Sequence, residues 1–191
     1  MSKSSFKLNP VIVVIIAVVC LFGGMYISVH NSLVKRDQQV ESKMSQIDNQ
    51  LQRRADLVPN LVNTVKGYAS HEEKIYTALA DARANMNKAS TVQEKADADQ
   101  QLSTAIKSLS IVVENYPNLK ANENFRDLQT QLEGTENRIT VARKDYNDAV
   151  QGFNTYKKTF PASIFSGGYK DKEYFKAKEG AEKTPTVDFS K

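Results

Sequence analysis

The sequence predicts an all-α protein, in which an N-terminal transmembrane helix is followed by an antiparallel bundle of three to four long helices. Three observations lead to this fold class. One uncharged apolar run covers residues 11–27 near the start of the chain. Apolar residues then recur at steps of three and four, the period of one helix face. Prolines and short polar stretches divide this pattern, and there we expect the chain to turn back.

The apolar run is the first element. With Ser28 and Val29 it reaches about 19 residues, which at about 1.5 Å per residue nearly spans a hydrocarbon core of roughly 30 Å. A cleaved export signal is the main alternative, because such signals also join a basic start to an apolar core. We favour a permanent anchor, since the run is longer than a usual signal core and no small-residue cleavage pattern closes it. Cys20, the single cysteine, is expected to be an apolar side chain of the span.

The positive charges that flank the run nearly balance. Such charges set the direction of a membrane helix when they lie within about 15 to 20 residues of it. Two precede the run and three follow it: Lys3 and Lys7, then Lys35, Arg36 and Lys43. The sequence therefore predicts a single pass through the cell (inner) membrane, with the lipid bilayer as one partner, and leaves the side of the soluble part undecided.

The chain after the run fits one domain, since single domains commonly hold about 100 to 200 residues. We predict an N-terminal segment and transmembrane helix over residues 1–30, a helical bundle over 31–160 and an irregular C-terminal tail over 161–191. The tail contains Pro161, Gly167 and Gly168 and scattered aromatic residues, so we expect it to be docked at most in part. The net charge is +4, but 26 basic residues are interspersed with 22 acidic ones. No basic cluster with interleaved aromatic residues stands out, so nucleic acid is not an expected partner.

The first bundle helix carries one apolar seam and is expected to be continuous with the anchor. Its members are Leu33, Val40, Met44, Ile47, Leu51 and Val58. Pro59 lacks an N–H and disfavours helical backbone at the residue before it, so we expect a kink or a fresh helix start there. Beyond it the same spacing continues to Met86, which predicts a second helix or a bent extension of the first.

The next helix has a recognisable start and stop. Thr91 with Glu94 three residues later is a capping-box pattern, in which each side chain bonds a free backbone N–H. The apolar face that follows consists of Leu102, Ile106, Leu109, Val113 and Tyr116. Pro117 is expected to end this helix, with Tyr116, Pro117 and Asn118 forming the turn.

The last long helix, predicted over residues 121–158, has the most regular seam. Nine positions step strictly by three and four: Phe125, Leu128, Leu132, Thr135, Ile139, Ala142, Tyr146, Ala149 and Phe153. A repeat of this kind is typical of left-handed packing against neighbouring helices. Short connections favour an antiparallel bundle, and a long parallel coiled-coil dimer is the alternative.

Several blocks along the chain resemble the LemA family of bacterial membrane-anchored helical proteins, from about Leu33 to the end. These blocks follow one another in order and include Arg53-Arg54-Ala55-Asp56-Leu57-Val58-Pro59-Asn60-Leu61-Val62, Ala82-Arg83-Ala84, Glu114-Asn115-Tyr116-Pro117-Asn118, Thr135-Glu136-Asn137-Arg138-Ile139, and Ala142-Arg143 with Tyr146-Asn147. The resemblance implies an N-terminal membrane helix and a bundle of long helices. It implies no defined reaction and no catalytic residues. We take as structural or interaction candidates Arg54, Pro59, Asn60, Glu114, Tyr116, Pro117, Glu136, Arg143, Tyr146 and Asn147.

The sequence offers little for an active site. It contains two histidines, His30 and His71, too few for a multi-histidine metal site or for a usual nucleophile, base and orienter set. No glycine-rich phosphate loop and no hydrolase elbow are recognisable. We therefore expect no catalytic residue, cofactor, metal or small-molecule substrate.

Two charged residues fall inside apolar seams. Asp37 lies between Leu33 and Val40, and Arg54 lies between Leu51 and Val58. A buried arginine without a partner is costly, so one hypothesis is that Arg54 reaches Glu136 or Glu114 and thereby fixes the helix register. The other is that Arg54 lays its stem along the core edge and keeps its head in water.

Two function classes follow from these observations. The first is a non-enzymatic anchored scaffold or interaction module whose partner is a membrane or envelope protein, which includes an adaptor of a membrane protease or transporter. The second is a structural coiled-coil protein that associates with itself as a homo-oligomer.

Overall fold

The computed structural model describes residues 9–69 and 71–176, which contain helices and no strand. The predicted all-α class is confirmed. The helices are α1 (Pro10–Lys66), α2 (Glu73–Lys88), α3 (Val92–Val113), α4 (Pro117–Lys120), α5 (Glu123–Lys158) and α6 (Ala162–Phe165).

Helix α1 runs without interruption from the apolar run to Lys66. It is, among the described residues, the one helix long and apolar enough to cross a membrane by length and composition. The fresh helix start expected at Pro59 is wrong, because Pro59 lies inside α1 and the next helix begins only at Glu73. The chain instead leaves the helix after Lys66, near Gly67.

The chain divides into two compact units, and both α1 and α5 contribute to each. The described residues of the first unit are 9–41 and 149–172. Those of the second unit are 42–69, 71–148 and 173–176. The domain boundaries predicted at residues 30 and 160 stay a prediction.

Ion pairs define the helix directions in the second unit. Asp48 of α1 pairs with Lys95 of α3 at 2.6 Å, and further along both helices Arg54 pairs with Asp99 at 2.6 Å, so α1 and α3 run parallel. Lys43 pairs with Asp145 of α5 at 2.9 Å while Arg54 pairs with Glu136 at 2.5 Å, so α5 runs the opposite way.

Helix α2 completes this bundle by running antiparallel to α1, since Arg83 contacts Ala55 and Tyr76 contacts Ala69. Four helices thus alternate in direction, as predicted.

The seam residues form the core of each unit. In the second unit the fully buried side chains include Ile47, Val58, Leu61, Leu79, Leu102, Leu109 and Ile139. Each such side chain contributes roughly 1.5 to 3 kcal/mol when it leaves water. Tyr68, which continues the spacing of Leu61 and Val65 in the sequence, is an exception, because it is 44 % exposed just after the end of α1.

The first unit pairs the start of α1 with the end of α5. Burial on α1 begins at Val29 and continues at Leu33 and Val40, whereas residues 11–24 are exposed all round the helix. Phe153 of α5 and Ala162 of α6 are buried in the same unit. Nη1 of Arg36 donates to the carbonyl oxygen of Gly152 at 3.4 Å, which holds the two helices side by side.

The sequence predicted both the start and the end of α3, and the structure agrees with the first and differs from the second. The capping box is confirmed: the Glu94 N–H donates to Thr91 Oγ1 at 3.2 Å, and Glu94 Oε2 accepts from the Thr91 N–H at 3.0 Å. The turn expected around Pro117 is corrected, because α3 already ends at Val113 and Pro117 is the first residue of α4. Proline fits this position, since a first helical residue needs no N–H partner.

Candidate functional site

Four charged side chains and one hydroxyl meet inside the second unit and form what we call the Arg54 cluster. Arg54 comes from α1, Asp99 and Ser103 come from α3, and Glu136 and Arg143 come from α5. Arg54 and Asp99 take seam positions of α1 and α3, while Glu136 and Arg143 lie beside the seam of α5. The cluster therefore connects three helices of the bundle at one level.

Arg54 is the centre of this cluster. Its Nη1 donates to Oδ1 of Asp99 at 2.6 Å and to Oγ of Ser103 at 3.0 Å. Oε2 of Glu136 lies 2.5 Å from the same nitrogen, in an ion pair without hydrogen-bond geometry. The second carboxylate oxygen of Asp99 accepts from Nη2 of Arg143. Asp99 thus bridges two guanidinium groups.

The cluster is closed on one side and open on the other. The side chains of Arg54 and Asp99 are 5 % and 2 % exposed, while those of Arg143 and Glu136 are 28 % and 43 % exposed. A groove of about 370 Å³ adjoins the cluster, and Arg54 and Glu136 lie in its wall with Leu61, Leu109 and Phe125. Glu136 reaches solvent while it contacts a buried arginine.

This geometry favours a structural role for the cluster. Buried charges are tolerated when they are paired, and removal of one partner is costly because it leaves the other charge buried alone. A shift of α1 by one helical turn along its axis would separate Arg54 from both Asp99 and Glu136. The cluster can thus specify helix register.

The structure brings the predicted pair of Arg54 and Glu136 together. The other candidate, Glu114, pairs instead with Lys120 at 2.6 Å on the surface, where both side chains are more than half exposed. The reading in which the Arg54 head stays in water is wrong, because the whole residue is 4 % exposed.

Pro59 leaves the carbonyl group of Ala55, one helical turn before it, without its usual N–H donor. A proline donates no N–H, so the carbonyl of Ala55 lacks its usual partner in the helix. Nε of Arg83 in α2 donates to that oxygen at 3.2 Å. Ala55 is fully buried, and its carbonyl needs this bond. Asn60, the next candidate, is exposed, and its carbonyl oxygen accepts from Oγ1 of Thr64 at 2.9 Å.

The candidates at the turn between α3 and α4 fix the chain before α2. The Tyr116 hydroxyl donates to Oε1 of Glu72 at 3.0 Å, and this bond to a carboxylate raises the Tyr116 pKa above its ordinary value. Pro117 is exposed at the first position of α4. The bond joins the connection that follows α3 to the residue that precedes α2.

The last two candidates hold a segment that follows α6. The Tyr146 hydroxyl donates to the carbonyl oxygen of Glu173 at 2.9 Å. The Asn147 side chain exchanges two bonds with the backbone of Phe175, at 3.0 and 2.8 Å. The Arg143 guanidinium lies over the Phe175 ring at 4.5 Å. The segment thus docks beside the Arg54 cluster.

Comparison with protein-family models assigns the chain to a family. The model of the LemA family matches residues 43–189, which is most of the chain. This protein belongs to the LemA family. The resemblance stated from the sequence blocks is therefore confirmed, and this LemA-family chain is a membrane-associated helical protein.

Similar proteins come from several bacteria. Magnetosome protein MamQ 2 of Paramagnetospirillum magneticum is 25 % identical over 94 % of this chain and 76 % of its own length. Magnetosome protein MamQ of Magnetospirillum gryphiswaldense is 24 % identical over 83 % of this chain and 68 % of its own. Protein LemA of Metamycoplasma hominis is 23 % identical over 73 % of this chain and 64 % of its own.

Sequence reasoning about this LemA-family protein missed Asp99 and Ser103 of the Arg54 cluster and Arg83 beside Pro59. Asp99 continues the seam of α3, three residues before Leu102, so its position carried the same signal that singled out Arg54. Arg83 gave a weaker signal, since it lies in a family block beside the seam residue Ala82. Among the described residues no group of histidine, cysteine and acidic side chains has metal-site geometry.

Proposed function

We propose that this LemA-family protein is a single-pass protein of the bacterial inner membrane whose helical bundle is a non-enzymatic scaffold for another membrane or envelope protein. One observation carries the proposal: α1 is a single helix that begins as an exposed apolar run and continues as the first helix of the bundle. An anchor with this geometry joins the bundle to the bilayer through one continuous helix.

The exposure of the run supports the membrane part. Val14, Val19 and Leu21 are more than 60 % exposed, and no part of the most apolar stretch of α1 is buried among the described residues. A contiguous apolar surface of this size is unusual on a protein that is surrounded by water. A hydrocarbon core of about 30 Å matches its length.

The use of the polar candidates supports the non-enzymatic part. Arg54, Glu136 and Arg143 contact one another or Asp99, while Tyr146 and Asn147 contact backbone groups of the same chain. These contacts lie within the chain and stabilise its fold. What the bundle offers to a partner is its outer face, on which Ile111 and Val141 are 65 % and 61 % exposed.

Membrane attachment can be tested with two substitutions in the span. Val14→Arg with Val18→Arg places two charges inside the apolar run, and the one at residue 18, beside its centre, alone costs about 2.5 to 3.5 kcal/mol of insertion free energy. We expect the wild-type chain to stay in the membrane pellet after alkaline carbonate extraction and the double variant to be released. Val14→Leu with Val18→Leu is the matched control and should behave as wild type. Release of the wild-type chain would contradict the proposal.

Scaffold function can be tested by crosslinking in intact bacterial membranes. A photoreactive amino acid at the exposed positions Ile111 or Val141 of the full chain should give adducts with a different membrane or envelope protein. The adducts should be lost in the Val14→Arg, Val18→Arg background. Adducts of this chain with itself alone would favour a self-associating coiled coil and count against the scaffold. A protease or transporter subunit as the trapped protein would identify the adaptor form of the proposal.

A further inference from the structure

The connection between α5 and α6 carries the most exposed large apolar side chain of the described residues. Phe160 is 76 % exposed, and Ile164, one helical turn further on, is 62 % exposed. Ala162 between them is buried, so the short helix packs on the first unit with one face and presents the two large side chains outward. We call residues 159–165 the α5–α6 corner.

Ring contacts place this corner at the end of the apolar run. The Phe165 ring meets the Tyr26 ring edge-on, with centroids 5.7 Å apart. Tyr26 is the next-to-last residue of the run. Just beyond the corner, the Tyr169 ring lies 6.5 Å from the His30 ring. The corner therefore lies beside the turn of α1 at which lipid exposure would end.

The course of α5 leads to the same level. Arg36 of α1 contacts Gly152, and its guanidinium lies 4.6 Å from the Tyr156 ring centre. From there α5 continues antiparallel to α1, toward the apolar run, and ends at Lys158. Phe160, two residues beyond the end of α5, therefore lies nearer the apolar run than Leu33 does. It is close to the part of α1, around Val29, where burial begins.

The residues around the corner have the composition of a membrane interface. Aromatic rings are enriched where the hydrocarbon meets the headgroups, and lysines beside them can reach lipid phosphates. Tyr26, Phe160 and Phe165 supply the rings, and the exposed Lys170 supplies a charge, while Lys158 pairs with Asp171 at 2.5 Å. We propose that the α5–α6 corner inserts Phe160 and Ile164 into the interfacial layer of the same bilayer that α1 crosses. This inference rests on the membrane anchor of the proposed function and adds a second point of contact.

A bilayer contact of this kind would restrain the first unit. A single helix leaves a protein free to tilt and to rotate about the helix axis, because only one element enters the lipid. A second insertion point beside the helix removes part of that freedom. The first unit would then present a defined side to proteins in the membrane.

Tryptophan fluorescence can test the inference, because the chain contains no tryptophan. The full chain is reconstituted into vesicles of phosphatidylcholine and phosphatidylglycerol, with or without lipids brominated near the headgroup end of their acyl chains. Phe160→Trp and Ile164→Trp are the two reporters. Val19→Trp marks the span. Gln39→Trp marks water, since Gln39 is exposed on α1 about 20 Å beyond Tyr26 along the helix.

We expect both corner reporters to emit at shorter wavelength than Gln39→Trp and to lose several times more emission to the brominated lipids. Aqueous acrylamide should quench Gln39→Trp several-fold more than either corner reporter. If Val19→Trp is quenched by brominated lipid while both corner reporters behave like Gln39→Trp, the inference is wrong and the anchor stands. Corner reporters shielded from acrylamide but not quenched by the lipids would mean a protein cover and would also overturn it. If Val19→Trp itself escapes the lipid quencher, the anchor fails, and the inference fails with it.

Discussion

Arg54 and Asp99 occupy positions of their helices at which the neighbouring seam residues are apolar. Both are almost fully buried, and both have charged partners on another helix. An ion pair of this kind contributes little net stability compared with an apolar pair, but it strongly disfavours arrangements that separate the partners. At the scale of single residues, we therefore interpret the Arg54 cluster as the contact that fixes the axial register of α1 against α3 and α5.

The first prediction concerns the Arg54 side chain. Arg54→Met keeps most of the volume but leaves the buried Asp99 with Arg143 as its remaining charged partner. We expect the free energy of unfolding to fall by about 3 to 5 kcal/mol, the usual effect of breaking a buried ion pair. Urea denaturation of the full chain in detergent micelles, followed by circular dichroism, measures this change.

An exposed ion pair supplies the control for that experiment. Glu114→Gln removes the partner of Lys120 on the surface and should change the free energy of unfolding by at most about 1 kcal/mol. If Arg54→Met were no more destabilising than Glu114→Gln, the cluster would not hold the helices in register.

The second prediction concerns the carbonyl that Pro59 leaves without a helical partner. Arg83→Met removes the donor to the Ala55 oxygen, so a buried acceptor stays unsatisfied and we expect a loss of about 1 to 3 kcal/mol. In a Pro59→Ala background the new N–H can bond the same oxygen, and the loss should be smaller. Unfolding free energies of the two single variants and the double variant measure the coupling. Equal losses in both backgrounds would show that Arg83 acts elsewhere.

Helix ends are the features of the element scale that local sequence predicts best. The Thr91 and Glu94 capping box forms as predicted because its bonds lie within four residues. We expect Thr91→Ala to lower the free energy of unfolding by about 1 kcal/mol. Thr104→Ala, at an exposed position in the middle of α3, is the control and should stay within about 0.5 kcal/mol of wild type. Thermal or urea unfolding distinguishes the two, and equal effects would contradict a capping role.

The same capping box should respond to pH. Bonds that the Glu94 carboxylate accepts from the Thr91 and Ser90 backbone lower its pKa from 4.5 to about 2. Because the folded-state pKa is the lower one, the stabilisation is present above about pH 4.5 and is lost as the pH falls toward about 2. Wild type should therefore exceed Glu94→Gln in stability at neutral pH, and the difference should shrink over this interval. A difference that does not change with pH would contradict the assignment.

Other helix ends depended on contacts that local sequence does not contain. Pro59 was expected to start a helix or to kink one, but Arg83 supplies the missing bond to Ala55 and α1 continues. Pro117 was expected to lie in the turn that ends α3, and it begins α4 instead. Proline restricts only its own backbone and that of its neighbour, so it permits both a helix end and a helix start.

In the candidate site, residue spacing predicted which position of the helix carries a charge, but it did not predict which residue pairs with that charge. Heptad spacing placed Arg54 in an apolar seam and left open whether its head reaches one of two distant carboxylates or stays in water. Glu136 was one of the two chosen, while Asp99 was passed over although it lies in the seam of α3. Which seam residues face one another depends on the vertical offset of the helices, and this offset is a property of the bundle and not of any one segment.

At the scale of the whole molecule, the main feature is that one helix belongs to both the apolar run and the bundle. The sequence predicted this continuity, because the seam of α1 begins at Leu33, only six residues after Ile27, with no proline or glycine between them. It did not predict that the residues after α6 dock on α5, since Asn147 and Asn154 bond backbone groups whose positions depend on the fold. Every residue has a backbone carbonyl group, so the sequence does not indicate which one an asparagine side chain will bond.

An accessibility scan of α1 by spin labelling tests the central claim most directly. Single cysteines at residues 11–41, with Cys20→Ala as the background, carry a nitroxide in the full chain reconstituted into phospholipid vesicles. Oxygen should reach the label preferentially at all positions from 11 to 27, as in lipid. From residue 28 onward a water-soluble nickel chelate should reach it with a period of 3.6 residues, and Val29, Leu33 and Val40 should be shielded from both. Water accessibility within residues 11–27, or loss of the helical period between residues 25 and 32, would contradict a membrane helix that continues into the bundle.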